Sequence, residues 1–170
     1  MDRHIFLIGM MGCGKSTMGR NLSALLSCPL LDLDAEIVSF EGRSIPEIFS
    51  QGGDPLFREK ETAALRRALE HPPCIISTGG GVVTRGENID LMRENGLVIW
   101  LSRPLEDIIM NIDASGRPKL AGNKEERMRT LYAAREALYA RAAHIRFDNR
   151  MEKEAAAKAL AKLLLEQNVF

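Results

Sequence analysis

Along the chain, short apolar runs alternate with longer stretches in which apolar positions recur every three or four residues. The short runs fall at His4–Ile8 and at 30–33, 74–78, 97–101 and 144–148. Most show no polar alternation, as expected of parallel strands covered on both faces. The longer stretches carry readable starts. A helix is predicted over 15–27, directly after a glycine-rich turn. Ser44-Ile45-Pro46-Glu47 matches a capping box with proline in the first turn. Asp54-Pro55 predicts an N-cap and a first helical position, opening a helix to about Glu70. Thr84-Arg85-Gly86-Glu87 repeats the capping-box pattern, and Asn123 predicts the cap of a helix reaching about Ala142. The stretch 151–167, rich in Ala, Lys, Glu and Leu, predicts a terminal helix with one exposed face. Strands alternating with helices imply a three-layer α/β/α domain around a central five-stranded parallel sheet with right-handed crossovers. Ligands then belong beyond the carboxyl ends of the strands.

The first strand end is the most telling. Gly9-Met10-Met11-Gly12-Cys13-Gly14-Lys15-Ser16-Thr17 carries the G-x-x-x-x-G-K-[ST] spacing of a P-loop, in strand–turn–helix context. Its glycines let backbone approach a phosphate that a Cβ would obstruct. The freed amides form an anion nest at a helix N-terminus. Lys15 is placed to reach the β- and γ-phosphates and Ser16 to ligate Mg²⁺. Two strands contribute further candidates. Asp32-Leu33-Asp34 follows the second; strand alternation would point both carboxylates to one side, to hold a metal's waters and accept a proton. The alternative is that one of them merely caps the next helix. The third strand runs into Gly79-Gly80-Gly81, where backbone either flexes or touches a ligand. Arg58 has Glu61 three residues on to orient it, and Arg135 opens an Arg-x-x-x-Tyr element ending at Tyr139. Guanidinium forks suit carboxylate and phosphate. The polar, glycine-bearing stretch 111–123, which carries Arg117, interrupts the helical pattern and predicts either a disordered segment or a mobile lid.

Composition narrows the class. The length of 170 residues suits one domain over 1–170, and 45% hydrophobic with 27% charged residues is ordinary for a soluble globular protein. The formal net charge is zero, so there is no electrostatic footprint for nucleic acid or an acidic membrane surface. The longest apolar runs fall far short of a bilayer span. Cys13, Cys28 and Cys74 lack metal spacing and read as reduced thiols of a cytoplasmic protein.

Together the P-loop form GMMGCGKST, the DLD after the second strand, Phe57-Arg58, the glycine triplet, Gly116-Arg117-Pro118 and the Arg-x-x-x-Tyr element resemble the shikimate kinase family of P-loop proteins, in the same order over about 6–139. The resemblance implies transfer of the γ-phosphate of ATP to the 3-hydroxyl of shikimate, a step of aromatic amino-acid biosynthesis. It implies that Gly12, Cys13, Gly14, Lys15, Ser16 and Thr17 bind ATP, with Ser16 on Mg²⁺ and Asp32 holding the metal through water. Asp34 would contact the ring hydroxyls and accept the 3-hydroxyl proton. Arg58 and Arg135 would clamp the carboxylate, with backbone at Gly80 and Gly81 closing that wall and Phe49 and Phe57 packing on the ring. Arg117 would swing in with the lid.

The chain departs from the family at Lys119, where the lid usually has Leu, and at Ile109-Met110-Asn111, where many members carry an adenine-facing Arg. A Pro often seen before the Leu of the Arg-x-x-x-Tyr element is also missing. Arg150, after the last strand, is the remaining adenine-side candidate. Two other readings compete: a small-molecule kinase of the same fold, gluconate kinase-like, and a non-catalytic nucleotide-binding module. A regulatory GTPase is disfavoured, because Asn123-Lys124-Glu125-Glu126 lacks the Asp that guanine recognition needs. A monomer is expected.

Overall fold

The computed structural model describes residues 3–111 and 123–167. Five strands, β1 (His4–Ile8), β2 (Leu30–Asp32), β3 (Ile75–Ser77), β4 (Gly96–Ser102) and β5 (Ile145–Asp148), form one parallel sheet in the order β2-β3-β1-β4-β5. The helices are α1 (Lys15–Leu26), α2 (Leu33–Glu41), α3 (Ile45–Ala68), α4 (Gly86–Asn95), α5 (Leu105–Asn111), α6 (Lys124–Ala142) and α7 (Lys153–Glu166). A 3₁₀ turn at Val82–Thr84 joins β3 to α4.

β1 lies in the middle, and all five of its residues are buried. Its all-apolar core reads as it does because β3 and β4 close both edges while helices cover both faces. From β1 the chain crosses to the edge strand β2, then returns through β3 and passes β1 to reach β4 and β5 on the other side. Right-handed crossovers in the two directions put helices on opposite faces of the sheet. α1 packs with α7, and α4 with α6. α7 buries Ala156, Ala157, Leu160, Ala161 and Leu164 and leaves its lysines outward, the amphipathic helix expected at the end of the chain.

The capping box at Ser44 forms: Ser44 Oγ accepts from the Glu47 amide, and Glu47 accepts from the Ser44 amide at 2.7 Å. The two helices expected from Ser44 and Asp54 run on as α3, broken only at Gly53, whose φ of 63° is left-handed. The capping box expected at Thr84 does not form. Thr84 Oγ1 donates to the Gly81 carbonyl at 2.7 Å instead, Arg85 occupies the N-cap position, and Glu87 pairs with Arg66. β2 is shorter than expected, because the Asp32 side chain caps α2 and turns Leu33 into helix. That ends the strand before Asp34, so strand alternation does not orient the two aspartates; Asp34 projects from the first turn of α2.

Candidate active site

Every feature singled out among the described residues lies at or near the carboxyl edge of the sheet. From Ile8 the chain turns through the P-loop into α1. Gly9 and Gly14 have φ of 142° and 100°, conformations that L side chains rarely adopt. Space is short as well: a Cβ on Gly9 would lie 2.7 Å from the Leu101 carbonyl oxygen, and one on Gly14 would lie 2.9 Å from Asn149 Nδ2. Asn149 donates that amide to the Cys13 carbonyl at 2.7 Å and its own backbone N–H to Ser102 O, fastening the loop to the far side of the sheet. Lys15 is buried and donates from Nζ to Gly9 O at 2.8 Å and Met10 O at 3.0 Å, with Cys13 Sγ at 4.0 Å.

Asp32 caps α2 and also faces the P-loop helix. Its Oδ1 accepts from the amides of Asp34 (3.1 Å) and Ala35 (3.3 Å), capping α2, while its Oδ2 accepts from Ser16 Oγ at 3.1 Å. The cap fixes the carboxylate, and the fixed carboxylate positions the hydroxyl. A hollow of about 390 Å³ opens here, bounded by Gly12, Lys15 and Ser16 of the loop, by Asp32 and Asp34, and by Gly79 and Gly80. No group of three or more His, Cys, Asp or Glu side chains that could hold a metal occurs among the described residues. The donor set of one hydroxyl and one carboxylate suits Mg²⁺, which keeps most of its waters and takes the rest of its shell from phosphates.

Beyond the glycine triplet lies a second cluster, made of side chains. Arg58 (7% exposed), Glu61 (0%) and Arg135 (3%) are all buried. Arg58 donates through Nη1 to Glu61 and through Nε to Asp54 at 3.3 Å. Arg135 donates to the Gly80 carbonyl at 3.2 Å, and the Tyr139 hydroxyl donates to the same oxygen. Each glycine of the triplet makes room for a different neighbour. A Cβ on Gly79 would lie 2.6 Å from Glu61 Oε1, one on Gly80 would lie 3.0 Å from the Met11 amide, and one on Gly81 would meet the Arg58 guanidinium at 2.5 Å. The glycines thus seat the guanidinium groups and let the turn lie against the P-loop. Phe49 and Phe57 stack at 4.8 Å between centroids, and Arg58 Cζ lies 4.8 Å from the centroid of the Phe57 ring. Burial, helped by the charge of Asp34 and opposed by the Arg58 and Arg135 guanidinium groups, pushes Glu61 up to about 7.

The structure therefore brings together the P-loop, Asp32, Asp34, Gly80, Gly81, Arg58 and Arg135, with Phe49 and Phe57 flanking Arg58. It does not bring Arg150 to them. Arg150 is exposed, paired with Asp148 at 2.8–2.9 Å from Nε, and lines a hollow with Ser102 and Arg146 that shares Arg103 with the hollow at the P-loop. Arg117 and most of the segment expected as a lid lie outside the described residues. Sequence reasoning gave no role to Asn149, to the Tyr139 hydroxyl or to Arg103, which lines the nucleotide-sized hollow from β4. Asn149 and Tyr139 bond backbone carbonyls far along the chain, contacts that leave no residue pattern, while Arg103 pairs at 3.9 Å with Asp107, four residues on, a spacing that says nothing of the hollow.

Comparison with known proteins agrees with this arrangement. The family model described as "Shikimate kinase" matches residues 11–165. The chain is 43% identical to a shikimate kinase of Clostridium botulinum, over 85% of this chain and 86% of that protein. Among solved structures, it resembles the shikimate kinase of Acinetobacter baumannii in complex with shikimate, with a TM-score of 0.93, 32% identity, and 99% and 96% of the two chains covered. The shikimate kinase of Aquifex aeolicus gives a TM-score of 0.84 at 34% identity, over 98% of each chain.

Proposed function

The chain belongs to the shikimate kinase family, and from that premise we propose how its residues divide the transfer of a phosphoryl group from ATP to the 3-hydroxyl of shikimate. The observation that carries this reading is the meeting of two buried guanidinium groups, Arg58 and Arg135, around Gly80 and Gly81, beside the P-loop hollow. A carboxylate bound there would sit next to the phosphate nest. A sugar acid kinase of the same fold shares the nest, but its acceptor needs no such apolar wall as Phe49 and Phe57 provide.

ATP phosphates bind the P-loop amides, Gly12 to Thr17. Lys15 is preset for them: its three N–H donors face two loop carbonyls and the weakly accepting Cys13 sulfur, so a phosphate oxygen displaces only the weakest partner. Ser16 and Asp32 hold Mg²⁺, which when bound neutralises charge on the phosphates. Arg58 and Arg135 fix the acceptor by its carboxylate, and the ring lies on Phe57 and Phe49. Asp34, held at the first turn of α2 where the helix dipole favours negative charge, takes the proton of the attacking hydroxyl. There is little covalent chemistry for the protein to perform, so positioning and charge stabilisation supply the rate. The resemblance gives Arg117 the role of meeting the transferring group. We read the whole chain as one catalytic unit acting as a monomer.

The test is ADP release by the purified protein with Mg-ATP alone, with shikimate and with gluconate. Release that depends on shikimate supports the reading. Equal release with gluconate would reassign the clamp, and none with either acceptor would leave a nucleotide-binding module.

A further inference from the structure

Glu61 is wholly buried within the acceptor half of the site, and the phosphoryl transfer makes no direct use of it. It lies three residues after Arg58 on the same face of α3, and one oxygen, Oε2, accepts from Arg58. The other, Oε1, is buried without a hydrogen-bond partner. It points at Gly79, where a Cβ would lie 2.6 Å from Oε1 and 3.1 Å from Asp34 Oδ1. Two carboxylate oxygens from α3 and α2 thus converge on one small space that glycine keeps empty. Four groups face Glu61: Arg58 on its own helix, Asp34 on α2, and Arg135 and Tyr139 on α6. Burial drives the Tyr139 phenol upward, so it stays neutral. Before the acceptor arrives, the two guanidinium groups already answer the carboxylates of Glu61 and Asp34 and, through Arg58 Nε at 3.3 Å, that of Asp54 at the partly exposed rim.

A bound acceptor carboxylate adds one more negative charge on the same two cations. In a water-poor pocket, like charges at such separation do not all stay ionised. Glu61 is the one that yields, because Asp34 is only partly buried and a carboxylate in the clamp has both arginines. We propose that Glu61 is a positioning residue that takes up a proton from solvent as the acceptor carboxylate docks, releasing Arg58 to the substrate. The proton goes to Oε1, whose O–H then donates toward Asp34, so Asp34 keeps its charge for the reaction. The inference rests on the shikimate reading of the clamp. It also explains why the carboxylate beside Arg58 is so fully enclosed: exposure would hold it ionised and keep the guanidinium in competition.

The sign of the linkage is fixed. Docking that takes up a proton is tightest where Glu61 is already protonated, and it weakens as pH rises above about 7. The experiment is calorimetric titration of shikimate into the full chain, without nucleotide, at pH 8 in HEPES and in Tris, whose ionisation heats differ. The expected result is a buffer-dependent heat equivalent to roughly half to one proton taken up per shikimate. Kd should rise by up to about tenfold per pH unit above 7. Glu61→Gln should bind with the same heat in both buffers and a Kd flat with pH. Wild-type binding with identical heats in the two buffers overturns the proposal and leaves the functional reading standing. Undiminished proton uptake in Glu61→Gln overturns it too, by sending the proton elsewhere. Absence of shikimate binding by the wild type removes the functional reading and this inference together. Should Glu61→Gln fail to fold, the wild-type heats and pH profile decide alone.

Discussion

At the end of β1, negative charge is to be met by backbone: a loop of amides, shaped by glycines and fastened by Asn149, with one lysine held against its own carbonyls. Past the glycine triplet, it is to be met by side chains: two buried arginines, a buried glutamate and an aspartate, drawn from α2, α3 and α6. The first arrangement is local and nearly charge-free until its ligand arrives. The second is assembled from distant segments and carries its own counter-ions. Amide dipoles bind phosphate wherever the turn can form, so that half is general to nucleotide enzymes. Buried ions are stable only in balanced sets, so the acceptor half is specific and easily upset.

The contrast can be broken at four points. Lys15→Ala removes the lysine that the loop holds against its own carbonyls, and kcat should fall about 10²–10³-fold or more with circular dichroism unchanged. Near-normal turnover would show that the amides suffice. Glu61 tests the balance of the other half through stability. A buried carboxyl near 7, against about 4.5 in the unfolded chain, keeps a proton that unfolding releases. Stability therefore falls as pH rises from about 4.5 to 7, by at most about 3 kcal/mol. Denaturant titrations across that range should show this slope in the wild type and lose it in Glu61→Gln; parallel curves would remove the buried charge from the account. Arg58→Ala or Arg135→Ala should raise the shikimate KM about ten- to a hundredfold, a bidentate charge-assisted pair being worth about 1.5–3 kcal/mol, and leave the ATP KM nearly unchanged. Equal losses for both substrates would mean the halves are one. Asn149→Ala deletes a neutral bond to the Cys13 carbonyl, worth about 1 kcal/mol, so ATP should bind about fivefold more weakly and shikimate normally. A change in shikimate affinity instead would place Asn149 in the wrong half.

The same contrast decides what could be read in the chain. The P-loop was legible outright because its ligand groups are consecutive residues whose spacing is the structure. So were β1, the Ser44 capping box and the Asn123 cap, each set by neighbours within a few positions. Arg58 and Arg135 were legible mainly by resemblance, since nothing local says that residues on α3 and α6 will converge. Asp32 was legible as a cap, and that capping bond is what ends the strand and undoes the alternation argument for Asp34; its bond to Ser16 joins residues on two different elements and leaves no local mark. The glycine triplet reads in the sequence as a flexible link or as backbone that touches a ligand, and neither reading says what the missing side chains make room for. It is room for Glu61, the P-loop and Arg58, which a sequence shows only as three missing side chains.

The bond from Asn149 to Cys13 joins positions 136 apart. During synthesis the loop therefore exists well before its tether. A chain halted before β5 carries the complete nucleotide motif, with Lys15 on the loop carbonyls, but without this bond. Nucleotide binding that tightens about fivefold as synthesis passes β5 reports the docking of that strand.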